Sequence, residues 1–273
     1  IRDSEEDKED QADFDLLEER FLRYPALAIG QSHTAMNGMA RKARKNIVRA
    51  MGLFDNYTED RYNKVQEKEN LIDKYEDKLG TYLMQLTGRD MTENQSKQVS
   101  IFLHTISDFE RLGDHAVNLS KSANELYEKK ISFSDEATYE LSVLGGAVKE
   151  ILEVTVDAFS DDDVGEAIRV EPLRELINVL CNELKSRHIT RLRNGECELK
   201  QGFAFNNILT DFERIGAHCS NVAVALLESE AEDFDTHEYQ KSIREMNNVM
   251  YRELYEAYEL KYDISKTKKA KKK

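Results

Sequence analysis

The chain has 273 residues, of which 34% are charged, and it contains only 12 glycines and 2 prolines. This balance favours long amphipathic helices and supplies too few turn residues for a β-sandwich or a β-barrel. The formal net charge of −14 argues against nucleic-acid binding, because such a surface repels phosphates. Cys181, Cys197 and Cys219 lack metal-binding spacing and indicate a reduced cytosolic protein. No apolar run reaches about 18 residues, so we expect neither a membrane-spanning helix nor a signal peptide.

Helix start and stop signals divide the chain into seven predicted helices. Residues 1–13 are acidic with almost no apolar pattern, so we assign them to a linker. Pro25 suits the first position of a helix, and Thr92 with Gln95 resembles a capping box. Pro172 is expected to kink the fifth helix or to restart it. Other expected caps are Asn56 or Thr58, Ser132 or Ser134, and Thr236, and the approximate helix ranges are 25–51, 58–86, 93–130, 135–159, 161–193, 198–229 and 237–264.

The strongest feature is an internal repeat. Residues 108–118, DFERLGDHAVN, recur as residues 211–221, DFERIGAHCSN, and eight of the eleven positions are identical or exchange leucine for isoleucine. Each copy falls in the third helix of its half. We therefore predict an all-α fold of two tandem three-helix bundles plus a long C-terminal helix. The predicted divisions are 1–13 for the linker, 14–131 and 132–230 for the two repeats, 231–265 for the last helix and 266–273 for a basic tail.

Two carboxylates of the first motif point to a metal site. Glu110 and Asp114 are four residues apart, so they lie about 40° apart on one helix face, at the edge of its apolar stripe. Glu69 and Asp73 repeat this spacing on the second helix. If the two helices pack antiparallel, four carboxylates converge, and an all-oxygen set suits Mg, Ca, Mn or ferric iron. The alternative is a solvated face with ion pairs between successive turns.

The histidine of the motif argues against a di-iron oxidoreductase. Such bundles place a histidine three residues after a glutamate, whereas His115 follows Glu110 by five. His115 aligns instead with Asp108 on its own helix, and we expect a structural contact there and at His218. No GxSxG, Walker or HExxH motif occurs, so we expect no catalysis. An enzyme with a carboxylate-bridged metal centre is kept as a further hypothesis, after the two regulatory ones given below.

Other motif residues have structural explanations. We expect Arg111 and Arg214 to neutralise carboxylates or to bind carbonyls at helix ends. A glycine inside a helix costs about 1 kcal/mol relative to alanine. We therefore expect Gly113 and Gly216 to be present because they allow a close approach of neighbouring helices beside the carboxylates.

Glu-Arg-x-Gly-Asp-His followed by Asn, present twice on third helices, resembles the PhoU family. The resemblance implies two three-helix bundles that negatively regulate phosphate uptake, with E(D)xxxD motifs that bind multinuclear metal clusters in some members. Carried over to this sequence, the metal residues are Glu69, Asp73, Glu110 and Asp114, with Fe, Mn, Mg or Zn as the bound ion.

The flanking segments resemble sodium/phosphate cotransporter family proteins more specifically. These segments are residues 16–22, 25–29, 170–173, 188–192, 195–197 and 218–221. The resemblance implies a regulatory cytoplasmic C-terminal domain at the inner face of the plasma membrane, with the membrane-embedded part of the same parent chain as its partner. The alternative is a stand-alone PhoU-like adaptor that acts on other proteins. A homo-oligomer is compatible with both, and the lysine-rich tail can contact anionic lipid or form an unstructured end.

The second repeat departs from the family pattern. Arg174 and Asn178 stand where the family usually has acidic residues, and Ala217 replaces the Asp that corresponds to Asp114. Of the four expected carboxylates only Glu213 is retained. We therefore predict that the metal site exists in the first repeat only, and that Arg174 pairs with Glu213.

Overall fold

The computed structural model describes residues 11–231 and 237–265, and within these residues the chain is helical without strands. The all-α prediction is confirmed. A short 3-10 helix covers Glu19–Arg23, and a single helical turn covers Val164–Ala167. The long helices are α1 (Pro25–Met51), α2 (Glu59–Leu86), α3 (Glu93–Glu128), α4 (Asp135–Asp161), α5 (Val170–Arg193), α6 (Leu199–Ala231) and α7 (His237–Lys261).

The predicted caps begin the first four helices. Pro25 opens α1, where its missing N–H leaves no intrahelical hydrogen bond unmade. The Thr58 side chain accepts a hydrogen bond from the third backbone N–H of α2, and Ser134 does the same for α4. At the start of α3, Thr92 and Gln95 form the reciprocal capping box. Of the alternatives left open by the sequence, Thr58 and Ser134 are therefore the caps.

The predicted start of the fifth helix at residue 161 is wrong, because the chain breaks between Asp161 and Val170; of the two outcomes expected at Pro172, the structure has a restart just before it. Asp162 adopts a left-handed conformation with φ of 52°, which ends α4. The turn Val164–Ala167 follows, and Pro172 then lies in the first turn of α5, where its ring does not clash with a preceding helical carbonyl. At the other end of α5, Gly195 has a φ of 70°, which glycine adopts without steric cost.

Each three-helix unit is covered by an additional element. In the first unit this element precedes α1: Phe14 lies against Tyr75 at a ring distance of 4.6 Å, and the Tyr75 hydroxyl donates to Asp13 at 2.7 Å. Residues 11–13, assigned to the linker from sequence, are thus helical and packed on α2, because Asp13 finds a buried hydroxyl donor there. The rest of the predicted linker, residues 1–10, lies outside the described residues.

Helix α7 covers the second unit. It packs against α4 and α5 through a stripe of tyrosines, of which Tyr258 and Tyr262 are buried. Lys261 donates to Glu150 on α4 at 2.8 Å, and Tyr262 also donates to Glu150. Tyr251 donates to Glu175 on α5. The predicted Thr236 cap and the basic tail 266–273 lie outside the described residues.

The two units meet where α3 packs antiparallel on α6. His115 Nδ1 of α3 lies 2.9 Å from Asp211 Oδ1 of α6, and His218 Nδ1 of α6 lies 2.8 Å from Asp108 Oδ1 of α3. Asn221 donates a second hydrogen bond to Asp108 at 2.9 Å. The expected contact between His115 and Asp108 on one helix is therefore wrong: each histidine pairs with the aspartate of the other repeat, because the facing helix brings a carboxylate closer than one seven residues away along the same helix.

A buried ion cluster ties α4 to α5. Glu140 is fully buried and lies 3.0 Å from Arg187 Nη1 and 2.9 Å from Arg191 Nη1. Arg191 is also buried and extends over the Phe205 ring of α6. Arg187 also pairs with Glu183, so Arg191 is the cation that depends on Glu140 for its compensation in the apolar interior.

This cluster yields a stability prediction. Glu140→Gln should lower the free energy of unfolding by about 3 kcal/mol, because it leaves Arg191 buried without a counter-charge. Urea denaturation at pH 7 measures the change. Glu183→Gln is the matched control, since Glu183 is half exposed and pairs with the same Arg187 at 2.8 Å; it should cost less than about 1 kcal/mol. Equal effects of the two variants would contradict the assigned role of Glu140.

Candidate functional site

The four sequence-predicted carboxylates lie on the adjoining faces of α2 and α3. The buried stripe of α2 includes Val65, Ile72 and Leu79, as the periodicity predicted. A β-carbon added to Gly113 on α3 would lie only 3.2 Å from Ile72 Cγ2, so glycine is what permits this helix approach. The expected role of Gly113 is confirmed. At Gly216 the nearest atom would be 3.7 Å away, an ordinary contact distance, so the approach of helices there is less close.

The electrostatics show that the four carboxylates act on one another across the α2–α3 contact. Burial raises the pKa of Glu69, and the charges of Asp73 and Asp114 raise it further. Burial and then the charge of Asp114 raise the pKa of Asp73. Burial followed by Asp114 raises the pKa of Glu110 to about 7. Asp114 on α3 therefore acts on both Glu69 and Asp73 of α2, and the metal site itself stays a prediction.

Arg111 partly offsets this repulsion. Its Nη1 lies 3.0 Å from Asp114 Oδ2 and its Nε lies 3.5 Å from Glu110 Oε2. The expectation that Arg111 neutralises carboxylates is thus confirmed. Glu76 and Asp77, one turn further along α2, also act on Glu110 and Asp73, respectively. Sequence reasoning did not include these two, although both continue the acidic edge that Glu69 and Asp73 begin.

The residues present suit a hard cation in chemistry but do not form an assembled site. Among the described residues, no three histidine, cysteine, aspartate or glutamate side chains are arranged so that they could hold a metal ion. The oxygens of Glu69, Asp73, Glu110 and Asp114 are the ligand type that such an ion prefers. To coordinate one, Asp114 would exchange its contact with Arg111 for the ion.

The second unit compensates its charges differently. At the α5 position that corresponds to Glu69, Arg174 lies 3.1 Å from Glu171 on its own helix, not against Glu213. Glu213 instead pairs with Lys185 at 2.9 Å. The predicted Arg174–Glu213 pair is therefore wrong, because Glu171 is one turn away and Lys185 reaches across from α5. Each carboxylate that remains here has a cation beside it.

The cysteines are not arranged for nucleophilic chemistry. Cys181 and Cys219 are buried, and burial raises the pKa of each thiol to about 12, which keeps them protonated. Cys197 lies 3.9 Å from His188 Nε2, and burial also raises its pKa.

Among the residues that the structure describes, none of the helices combines the length and apolarity needed to cross a membrane.

Known proteins with similar sequences are accessory proteins of phosphate transport. The chain is 26% identical over 160 residues to a Thermotoga maritima protein named "Phosphate-specific transport system accessory protein PhoU homolog 1", a match that covers 58% of this chain and 68% of the relative. It is 21% identical over 192 residues to the PhoU homolog of Clostridium acetobutylicum, covering 70% of this chain and 86% of the relative. Neither name describes a sodium/phosphate cotransporter.

Solved structures with similar folds carry the same family name. The crystal structure of PhoU from Pseudomonas aeruginosa superposes with a TM-score of 0.68 at 18% identity, covering 75% of this chain and 96% of that protein. The phosphate transport system regulatory protein PhoU from Streptococcus pneumoniae gives 0.68 at 17% identity, covering 76% and 96%. At this identity the similarity establishes the two-bundle fold.

The family model for the PhoU domain matches this chain twice, over residues 36–123 and 141–226. The two matches coincide with the two three-helix units and together span more than half of the chain. Each contains one copy of the repeated motif, with its glycine at the contact between the second and third helix of the unit. The chain belongs to the PhoU domain family.

Proposed function

We propose that this protein is a PhoU-type regulator of phosphate transport that acts on other proteins and has no catalytic activity of its own. The observation that carries the proposal is the family match in both units, together with relatives named as accessory proteins of phosphate-specific transport. The same names favour the stand-alone adaptor over the cytoplasmic domain of a sodium/phosphate cotransporter. The fused-domain hypothesis stays a prediction that rests on the flanking segments alone.

The acidic face of α2 and α3 is the proposed ligand-responsive part of the regulator. We propose that Glu69, Asp73, Glu110 and Asp114 hold a carboxylate-bound metal ion, with Fe, Mn, Mg or Zn as candidates. Bound there, the ion would supply positive charge that offsets the burial and the repulsion that raise the pKa values of Glu69, Asp73 and Glu110. The second unit would hold no ion, since Lys185 and Arg174 already lie beside its carboxylates.

The regulatory role can be tested in cells. Deleting the gene in its native organism should change phosphate uptake, measured with radiolabelled phosphate under scarce and abundant supply, and re-expression should restore it. Restoration by a separately expressed copy of residues 1–273 supports an adaptor that acts in trans. Uptake that is identical with and without the gene under every supply would contradict the proposal.

Repulsion at the acidic face predicts a pH-dependent gain from removing one charge. The folded-state pKa of Glu110, about 7, exceeds its ordinary value of 4.5, so the folded protein binds more protons between these values and loses stability as pH rises through them. Glu110→Gln should therefore stabilise the protein by about 1–2 kcal/mol at pH 8, with the gain vanishing near pH 5. Denaturation at several pH values measures this.

Glu213→Gln is the control for that experiment. Glu213 is the counterpart of Glu110 in the second unit, but it has Lys185 as a partner at 2.9 Å. Its neutralisation should bring no stability gain at pH 8. A destabilising effect of Glu110→Gln at pH 8 would contradict the repulsion described for the first unit.

Metal content provides a direct test of the ligand assignment. Elemental analysis of protein purified without chelator should detect metal that is lost in a variant with alanine at the four proposed ligands, Glu69, Asp73, Glu110 and Asp114. The matched control carries alanine at Glu171 and Glu213 in the second unit and should keep the metal. A metal content as high in the quadruple variant as in the wild type, or a loss confined to the control, would refute the site.

A further inference from the structure

The histidine pairs between the repeats have a definite tautomer. Asp108 and Asp211, when ionised, can only accept hydrogen bonds, so the Nδ1 atoms of His218 and His115 facing them must carry the proton. In neutral imidazole the second nitrogen, Nε2, then presents a lone pair. In each histidine, a carboxylate therefore fixes Nδ1 as the hydrogen-bond donor and leaves Nε2 as the acceptor.

The two rings lie close together, and their Nε2 atoms have no hydrogen-bond partner among the described residues. The rings of His115 and His218 are 5.5 Å apart between centroids and inclined by 38°. None of the described residues forms a hydrogen bond with either Nε2 atom, and neither atom is among the buried unsatisfied ones, so both nitrogens reach solvent. Two imidazoles at this ring separation, each with an Nε2 that no described residue contacts, can both bind one electrophile.

We propose that His115 and His218 together bind a divalent transition-metal ion of borderline softness, such as Zn²⁺, through their Nε2 atoms. Imidazole is a preferred ligand of such ions, and a carboxylate on the far nitrogen is the arrangement that orients metal-binding histidines. Two imidazoles bound to one ion at about 2.0–2.1 Å per nitrogen have ring centres roughly 5–6 Å apart. The observed separation of 5.5 Å lies in this range.

The local charge also favours a dication. Asp108 and Asp211 each place a carboxylate beside one of the two rings, and both carboxylates are largely buried. Two protein nitrogens leave the remaining positions of the ion to water, one more position than in catalytic zinc sites, which have three protein ligands. Because one histidine belongs to α3 and the other to α6, the ion would cross-link the two repeats.

This site differs from the acidic face in its ligands. Glu69, Asp73, Glu110 and Asp114 offer only oxygen, and they lie between α2 and α3. Zinc binding at the histidine pair does not depend on the metal proposed for the acidic face. Mutating one set of ligands at a time distinguishes the two sites.

Zinc titration by calorimetry tests the proposal. The wild-type protein should bind one Zn²⁺ ion per chain in a phase that His115→Gln and His218→Gln each weaken at least tenfold, with folding verified by circular dichroism. His104→Gln, an exposed histidine on the same helix α3, is the matched control and should leave this phase unchanged. Asp211→Asn should weaken binding by roughly 10–100-fold through loss of ring orientation, which makes Asp211 a positioning residue.

X-ray absorption of the zinc-loaded protein gives a second readout. Two imidazole nitrogens in the zinc shell, lost in either histidine variant, support the site even if a variant is less stable. Zinc binding that is unchanged in both His115→Gln and His218→Gln overturns it. So does loss of the zinc phase only in the Glu110→Gln/Asp114→Asn variant, which would assign the ion to the acidic face.

Discussion

Helix α3 has to satisfy two neighbours at once, and this constraint governs both units. One side of α3 approaches α2 so closely that a β-carbon at Gly113 would lie 3.2 Å from Ile72 Cγ2, which would require Ile72 to shift. Another side packs against α6, where His115 and Asp108 each find a partner in the second repeat. Because α3 is held on both sides, a shift of this helix cannot move Glu110 and Asp114 away from Glu69 and Asp73 on α2. The packing of α3 on α2 and α6 therefore has to outweigh the repulsion among these carboxylates in the folded chain.

The two repeats share this architecture but differ in how they compensate charge. In the first, Arg111 is the closest cation to a group of carboxylates whose pKa values are raised by burial and by one another. In the second, Lys185 and Arg174 each pair with a glutamate, and Ser220 donates a further hydrogen bond to Glu171. A ligand that supplies positive charge would therefore bind and stabilise the first unit but not the second. The two halves of a duplicated fold would then respond differently to the same ligand.

Much of this arrangement follows from local sequence. Pro25, Thr92 and Pro172 determine helix starts through backbone chemistry that acts within a few residues, and the 103-residue repeat places equivalent side chains in both halves. Partners across helices were harder to predict. Periodicity identifies the face on which His115 lies, but not which neighbouring helix covers it, so Asp211 was missed. Arg174 pairs with Glu171 and not with Glu213 because of how far its side chain reaches, which the sequence does not show. The burial of Glu140 between two arginines depends on how α4 packs on α5.

The central claim is that one unit carries a cation site and the other replaces it with protein charges. Anomalous diffraction from crystals grown with Mn²⁺ tests it most directly. The account predicts a manganese peak among Glu69, Asp73, Glu110 and Asp114 and none beside Arg174 and Glu213. A peak beside Arg174 and Glu213, or no peak at the acidic face at saturating Mn²⁺, would contradict it.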